Sequence, residues 1–352
     1  MNSRVALLAL VALVFGLAAQ AGAATPEGPR LAISVSTNGP GAEDEGSEVI
    51  TVGPSGEDPR RLFGGRGAPI SDPLAWSADG ELLGFVAPGV ESTASGAFGT
   101  GWPVAGVIRA DGSGARAFPS AFLNGGDPVV APDGRSIAFQ RLKLAKVLDR
   151  ESYLFRSAIF VLDVEDGSVK RLTRWRLGSF LDPVSYTPDG SALVAESFNR
   201  GKARMVAVDL RSLRIRRLAP LSEDISDPTY SLDGTKLAFV RDKTRRFQLP
   251  KPDRPINELW VANADGSGAK RLLRVKGYIS FTSWDPSGSR LAFTRNSAEE
   301  ATGGLEAKPG NKVMAINADG TCLTRVFSDP DMTLGSSAWR PGIGRGAGPI
   351  SC

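Results

Sequence analysis

Trp76-Ser-Ala-Asp-Gly80 returns along the chain as Val130-Ala-Pro-Asp-Gly134, Tyr186-Thr-Pro-Asp-Gly190, Tyr230-Ser-Leu-Asp-Gly234 and Trp284-Asp-Pro-Ser-Gly288, and closes as Trp339-Arg-Pro-Gly342. From anchor to anchor the steps are 54, 56, 44, 54 and 55 residues. A period of that length marks one supersecondary unit used repeatedly. Three residues after each glycine comes a short apolar run: Leu83-Gly-Phe85, Ile137-Ala-Phe139, Leu193-Val-Ala195, Leu237-Ala-Phe239 and Leu291-Ala-Phe293. An Asp-Gly or Ser-Gly step between two β-type runs predicts a hairpin, because glycine takes a positive φ without a Cβ clash. Further runs such as Ala158–Leu162, Met205–Val208, Glu258–Val261 and Lys312–Ile316 follow, and most lead into a second turn of the type Ala264-Asp-Gly-Ser267. A last short strand carries Arg61-Leu62, Arg171-Leu172, Arg217-Leu218 or Arg271-Leu272.

Each unit therefore reads as four antiparallel strands, A to D, in about 54 residues. One such sheet cannot bury both its faces alone, and repetition around an axis solves the problem, as a β-propeller. The expected fold is all-β, a six-bladed propeller of four-stranded antiparallel blades over residues 25–342, with a tail at 343–352. The last phrase has no apolar run after it, and Thr25-Pro-Glu-Gly28-Pro-Arg-Leu31-Ala-Ile33 matches Thr187-Pro-Asp-Gly190-Ser-Ala-Leu193-Val-Ala195. The N-terminal segment is thus expected to give the outer three strands of one blade and the C-terminal segment its innermost strand. That pairing closes the ring and removes two open sheet edges.

Residues 1–24 stand apart. Arg4 precedes an apolar run from Val5 to Ala19, and Ala21-Gly22-Ala23 offers a small-residue cleavage site. About 20 apolar residues are needed to span a bilayer, so this run reads as a secretory signal rather than an anchor. The mature chain is expected to be exported, periplasmic or at the cell surface, without a transmembrane span. Export places the only two cysteines, Cys322 and Cys352, where a disulfide persists. Such a bridge stabilises by roughly 3–4 kcal/mol in the chain-entropy account; two free thiols are the other option.

The chain contains no histidine, which excludes Ser–His–Asp hydrolases, Cys–His proteases and His-ligated metal sites. Without residues 1–24, 41 basic residues face 38 acidic ones, too even a balance to suggest a nucleic-acid partner.

The recurring Trp/Tyr-Ser-Pro-Asp-Gly-x-x-Leu-Ala-Phe pattern resembles the WD40-like propeller repeats of the TolB family, over essentially the whole mature chain. The resemblance implies a periplasmic protein-binding platform. Two departures are visible: the separate α/β domain that precedes the TolB propeller is not recognisable, and neither is the α/β-hydrolase that follows related peptidase propellers. No Gly-x-Ser-x-Gly elbow occurs.

In such blades the A–B and C–D turns share one face, and the B–C loops with the inter-blade links share the other. Long, unequal B–C segments at 88–103, 141–156, 241–257 and 296–311 make the second face the expected place of recognition. Asp72-Pro73, Asp127-Pro128, Asp182-Pro183 and Asp227-Pro228 are expected where innermost strands begin, placing four carboxylates around the channel mouth. There they would hold a divalent cation or a partner's Lys or Arg, or simply cap their own turns. No other cofactor is expected. Arg241, Arg245, Arg246 and Lys251 form a basic, proline-rich loop suited to an acidic protein or an anionic envelope polymer. The leading expectation is an exported, non-catalytic binding or scaffolding propeller. The alternatives are a Ca²⁺-type metal-dependent hydrolase or lyase using the channel-mouth carboxylates, and an accessory subunit of a separately encoded envelope enzyme.

Overall fold

The computed structural model describes residues 29–37, 46–66, 71–92, 98–124, 128–147, 153–177, 179–199, 202–218, 225–243, 255–297, 311–341 and 348–352. Residues 1–24, expected to be a secretory signal, lie outside the described residues. All regular elements among those described are strands. The first sheet runs β24 (Met332–Trp339), β1 (Leu31–Thr37), β2 (Gly46–Val52), β3 (Arg60–Arg66). The second is β4 (Ser71–Trp76), β5 (Leu82–Ser92), β6 (Phe98–Arg109), β7 (Arg116–Phe122). The third is β8 (Val129–Val130), β9 (Ser136–Val147), β10 (Tyr153–Asp163), β11 (Val169–Arg171), with β12 (Arg176–Leu177) also against β10. The fourth is β13 (Ser179–Tyr186), β14 (Ala192–Asn199), β15 (Lys202–Asp209), β16 (Ile215–Arg217). The fifth has seven strands: β17 (Ile225–Tyr230), β18 (Lys236–Asp242), β19 (Ile256–Asn263), β20 (Lys270–Trp284), β21 (Arg290–Ser297), β22 (Lys312–Asn317) and β23 (Thr324–Phe327).

The chain is thus all-β and propeller-like, but six separate four-stranded blades are not what the strands form. Four sheets have the expected four-strand path, and the fifth is a continuous sheet of seven strands. The cause is β20. Its first half pairs with β19 through Val261↔Lys270 and Ile256↔Gly277, and its second half pairs with β21 through Gly277↔Ser297 and Trp284↔Leu291. No loop separates the outer strand of one repeat from the inner strand of the next, so the hydrogen-bond ladder never breaks. Gly277 is the pivot, and its φ of 125° is open only to glycine without strain.

The two ends of the chain pair antiparallel as the repeat arithmetic requires, with Leu31 opposite Trp339 and Ala32 opposite Ala338. Beyond this strand Ile350 exchanges two hydrogen bonds with the Asn317 side chain, and Cys352 is bonded to Cys322.

Burial explains why the sheets need one another. Phe85, Phe139, Phe239 and Phe293, the phenylalanines of the repeated apolar run, are all fully buried. Each apolar cluster joins one block of strands to the next. Leu83 and Phe85 meet Ala32 and Val49, for example, and Val194 and Ala207 meet Phe239. One cluster joins the end of the series to its beginning, with Val313 and Val326 against Leu31 and Ile33. Cations of one repeat also cover the phrase tryptophans of the next. Lys236 lies 5.7 Å from the Trp284 ring centre and Arg290 4.7 Å from that of Trp339.

The phrase itself is a self-satisfied turn. Ser231 Oγ donates to Asp233 Oδ1 (2.6 Å) and accepts from the Lys236 N–H (3.0 Å), while the Gly234 N–H donates to the Ser231 carbonyl (2.8 Å). Thr187, Asp189, Gly190 and Ala192 repeat this arrangement, and in the fifth phrase Asp285 and Ser287 exchange roles. The hydroxyls of Thr187 and Ser231, followed by backbone N–H donors, hold Asp189 and Asp233 below the ordinary carboxylate range.

Two predictions follow from this local chemistry. An aspartate with a depressed pKa contributes stability that is fully present above its unfolded value near 3.9 and is lost as pH falls through the lower folded value. Thermal stability should therefore fall steeply below about pH 4. Asp189→Asn/Asp233→Asn should flatten that fall, as read by melting curves from pH 7 to 2.5. Second, Gly80 and Gly190 both have φ near +70°, but a Cβ at Gly80 would collide with the Pro341 carbonyl just beyond the closing strand, whereas at Gly190 the nearest atom is 3.9 Å away. Gly190→Ala should cost about 1–2 kcal/mol for backbone conformation alone. Gly80→Ala should cost measurably more in denaturant titration, and equal losses would mean that the closing contact is slack.

Candidate functional site

An innermost strand has a neighbour on one side only, and its free edge faces the axis. The free edges of β4, β8, β13, β17, the second half of β20 and β24 together enclose a cavity of about 500 Å³. One end is apolar and is built by the middle residues of the phrase turns: Ala78, Pro132, Pro188, Leu232, Pro286 and Pro341. Adjacent turns are tied there, the Ala78 N–H donating to the Pro132 carbonyl (2.8 Å). Next come the phrase aromatics. The Trp76 indole donates to the Ala338 carbonyl (3.2 Å) and that of Trp284 to the Thr229 carbonyl (3.0 Å), so these rings fix neighbouring inner strands to one another. Burial pushes the Tyr186 phenol up to about 12, which keeps it neutral.

The half of the cavity nearer the B–C loops is acidic. Asp182, Glu196 and Asp227 line it. Asp182 and Glu196 are direct cross-strand partners in β13 and β14, and like charges in that register contribute nothing to sheet stability.

The structure corrects the expected position of the Asp-Pro steps. Three of the four do not precede the innermost strands but lie within them, at irregularities of the ladder, whereas Pro128 stands directly before β8 as expected. The register of β17 jumps from Ser226 to Thr229, skipping Asp227 and Pro228, and that of β4 jumps from Ser71 to Ala75. In β13 the jump lies just beyond Pro183. Proline lacks an N–H and is tolerated inside a strand only at an edge or a bulge, and the innermost strand supplies both. Asp227 has φ of 49°, and in β20 Phe281 takes the same place with φ of 56°. A left-handed conformation in a residue with a Cβ costs about 1–2 kcal/mol, and such strain gathers at functional sites.

Of the residues expected at the channel mouth, the structure brings Asp182 and Asp227 together on one cavity. Asp72 is placed in β4, its side chain outside the described residues, and Asp127 lies outside them altogether. Sequence reasoning missed Glu196, although aligning the phrases would have flagged it. It stands where the other repeats have Val86, Gln140, Val240 and Thr294. Among the described residues, no three of the His, Cys, Asp and Glu side chains group closely enough to hold a metal ion.

Arg241 is corrected as well. It belongs to β18 rather than to a loop, paired with Glu258 of β19. Strand alternation puts it on the face of Phe239, with its guanidinium 4.3 Å from the Trp260 ring centre. Arg141, in β9, stacks in the same way on Phe122 (4.0 Å) and Phe160 (4.7 Å). Arg141 thereby ties the second sheet to the third, whereas the ring contacts of Arg241 stay within the fifth sheet. Arg245, Arg246 and Lys251 lie outside the described residues.

No family model matches the chain. Over 153 residues, 40% of its length, it is 26% identical to the Tol-Pal system protein TolB of Anaeromyxobacter dehalogenans, and the match spans 32% of that protein. The crystal structure of TolB from Acinetobacter baumannii superposes on 89% of the chain with a TM-score of 0.62 at 19% identity, covering 67% of that chain. A TolB-type structure from Agrobacterium tumefaciens superposes on 89% of the chain with a TM-score of 0.52 at 17% identity, covering 99% of that chain. In its repeat and in its fold the chain resembles the TolB-like β-propellers.

Proposed function

We propose that this chain is an exported, non-catalytic six-bladed propeller that binds a protein partner by its loop-bearing face, taking a Lys or Arg side chain of that partner into the acidic half of the axial cavity. Taken as two blades sharing β20, the seven-stranded sheet brings the blade number to six, matching the six phrases. Residues 1–24 are the export signal in this reading, 25–342 the propeller, and 343–352 a tail held by the Cys322–Cys352 bond. The resemblance to TolB, named for the Tol-Pal system, supports a periplasmic, protein-binding role.

The observation that carries the proposal is the convergence of Asp182, Glu196 and Asp227 from three strands on one cavity with an apolar opposite end. Carboxylates in a partly desolvated cleft attract a cation more strongly than they would in bulk water. The cavity walls otherwise offer indole, phenol and hydroxyl groups and no nucleophile–base pair among the described residues, which suits recognition rather than turnover. The basic segment with Arg245, Arg246 and Lys251 would add a second, oppositely charged contact on the same face.

The test is fluorescence anisotropy with short Lys/Arg-rich peptides and their Gln-substituted counterparts. The cationic peptides should bind, and Asp182→Asn/Glu196→Gln/Asp227→Asn should weaken them about tenfold or more, the equivalent of about 1.4 kcal/mol. Equal binding of charged and neutral peptides would sink the proposal. So would micromolar calorimetric binding of Ca²⁺ or Mn²⁺ that the triple variant abolishes, because the mouth would then be a metal site.

A further inference from the structure

The outermost strands form the rim of the disc, and their charge is unevenly distributed. Three successive rim segments, 163–177, 209–218 and 263–276, carry 12 Lys and Arg against five Asp and Glu. The other three, 53–66, 109–123 and 317–331, carry six of each. The basic segments are neighbours in space as well as in sequence. Apolar clusters join the third sheet to the fourth through Ala138, Ile159, Leu193 and Val206, and the fourth to the fifth through Val194, Ala207 and Phe239. Lys170, Arg171, Arg174, Arg176, Arg216 and Arg217 are all exposed, as are Lys270, Arg271, Arg274 and Lys276.

Protection of sheet edges does not account for this arc. Charged side chains on an outer strand do discourage edge-to-edge pairing. All the rim strands share that need, however, and β7 meets it with Arg116 as its one charged residue among Ala117, Phe118, Pro119 and Ser120. Internal neutralisation does not account for it either. Buried Glu258 takes Arg271 (3.0 Å) and Arg274 (3.9 Å), but among the described residues no ion pair engages Arg171, Arg174, Arg176, Arg216 or Arg217. Guanidinium groups held exposed at this density repel one another, and at physiological salt, with a Debye length of about 8 Å, neighbouring charges still feel that repulsion.

We propose that this basic arc, formed by β11, β12, β16 and the first half of β20, is a binding surface for a flexible anionic polymer with closely spaced phosphate or carboxylate groups. It is separate from the axial cavity and does not depend on the function proposed above. Three features select the ligand class. The arc follows the outer edge of a ring, a convex line that a flat lipid surface meets only locally but a flexible chain follows. Adjacent strand residues such as Arg216 and Arg217 point to opposite faces, so charge flanks the edge on both sides and suits contacts to charge rather than to shape. The outer strands are short, three residues each in β11 and β16, so they offer little ladder for an added β-strand of a protein partner.

The test uses the full mature protein and medium-chain inorganic polyphosphate, with vesicles rich in phosphatidylglycerol and an acidic protein as parallel probes. Polyphosphate should bind at 0.15 M salt, with affinity falling as salt rises. Arg174→Gln/Arg176→Gln/Arg214→Gln/Arg216→Gln should weaken it at least tenfold and lower the salt dependence. The control Arg60→Gln/Arg61→Gln/Arg325→Gln, on the opposite arc, should change it less than twofold. Melting curves establish that both variants are folded, and these exposed positions sit outside every apolar cluster. No polyphosphate binding, equal loss in the two variants, or binding confined to vesicles or to the acidic protein would each overturn the proposal.

Discussion

Each sheet of this protein has two apolar faces, and only a neighbouring sheet can cover them. From that constraint the rest follows. A linear stack would leave its first and last faces in water, whereas a ring leaves none, and the cluster joining Val313 and Val326 to Leu31 and Ile33 is where the ring is sealed. Sealing requires that one blade be assembled from both ends of the chain, as β24 and β1 do. The Ile350–Asn317 hydrogen bonds and the Cys322–Cys352 bond extend the same closure past the last strand. Long-range closure of this kind carries an entropic cost that local turns do not.

That turn chemistry is why so much of the fold could be read from sequence. Ser/Thr-x-Asp-Gly satisfies its own donors and acceptors within six residues, as Ser231 to Lys236 shows, and so looks alike wherever it occurs. The apolar run, the second Asp-Gly turn and the closing match between Leu31 and Leu193 were equally local patterns. Features that depend on what separates repeats were harder to read. The merging of two repeats through β20 rests on the absence of a loop and on Gly277 accepting an unusual φ, neither of which periodicity encodes.

The candidate site was half legible for the same reason. Asp182 and Asp227 stood out because Asp-Pro recurs, but their place inside the strands did not, since proline ordinarily argues against a strand interior. The free inner edge of a propeller lifts that rule. Glu196 carries no motif, and its meaning comes from lying opposite Asp182 across β13 and β14. Arg241 misled in the opposite direction. Its charge suggested a binding loop, while its place in β18 and its stacking on the Trp260 ring of β19 make it part of a packed sheet face.

The same geometry sorts the charges by location. The phrase turns hold their aspartates in internal hydrogen bonds and close one end of the axis with proline and other apolar side chains. Acid accumulates instead at the strand irregularities nearer the loops, and base accumulates on one arc of the rim, while the whole chain carries only +4. A near-neutral total built from segregated charges behaves differently from an evenly mixed surface. Its local potentials differ in sign between the axis and one arc of the rim, and the two proposed ligands are compatible because salt screens each region from the other.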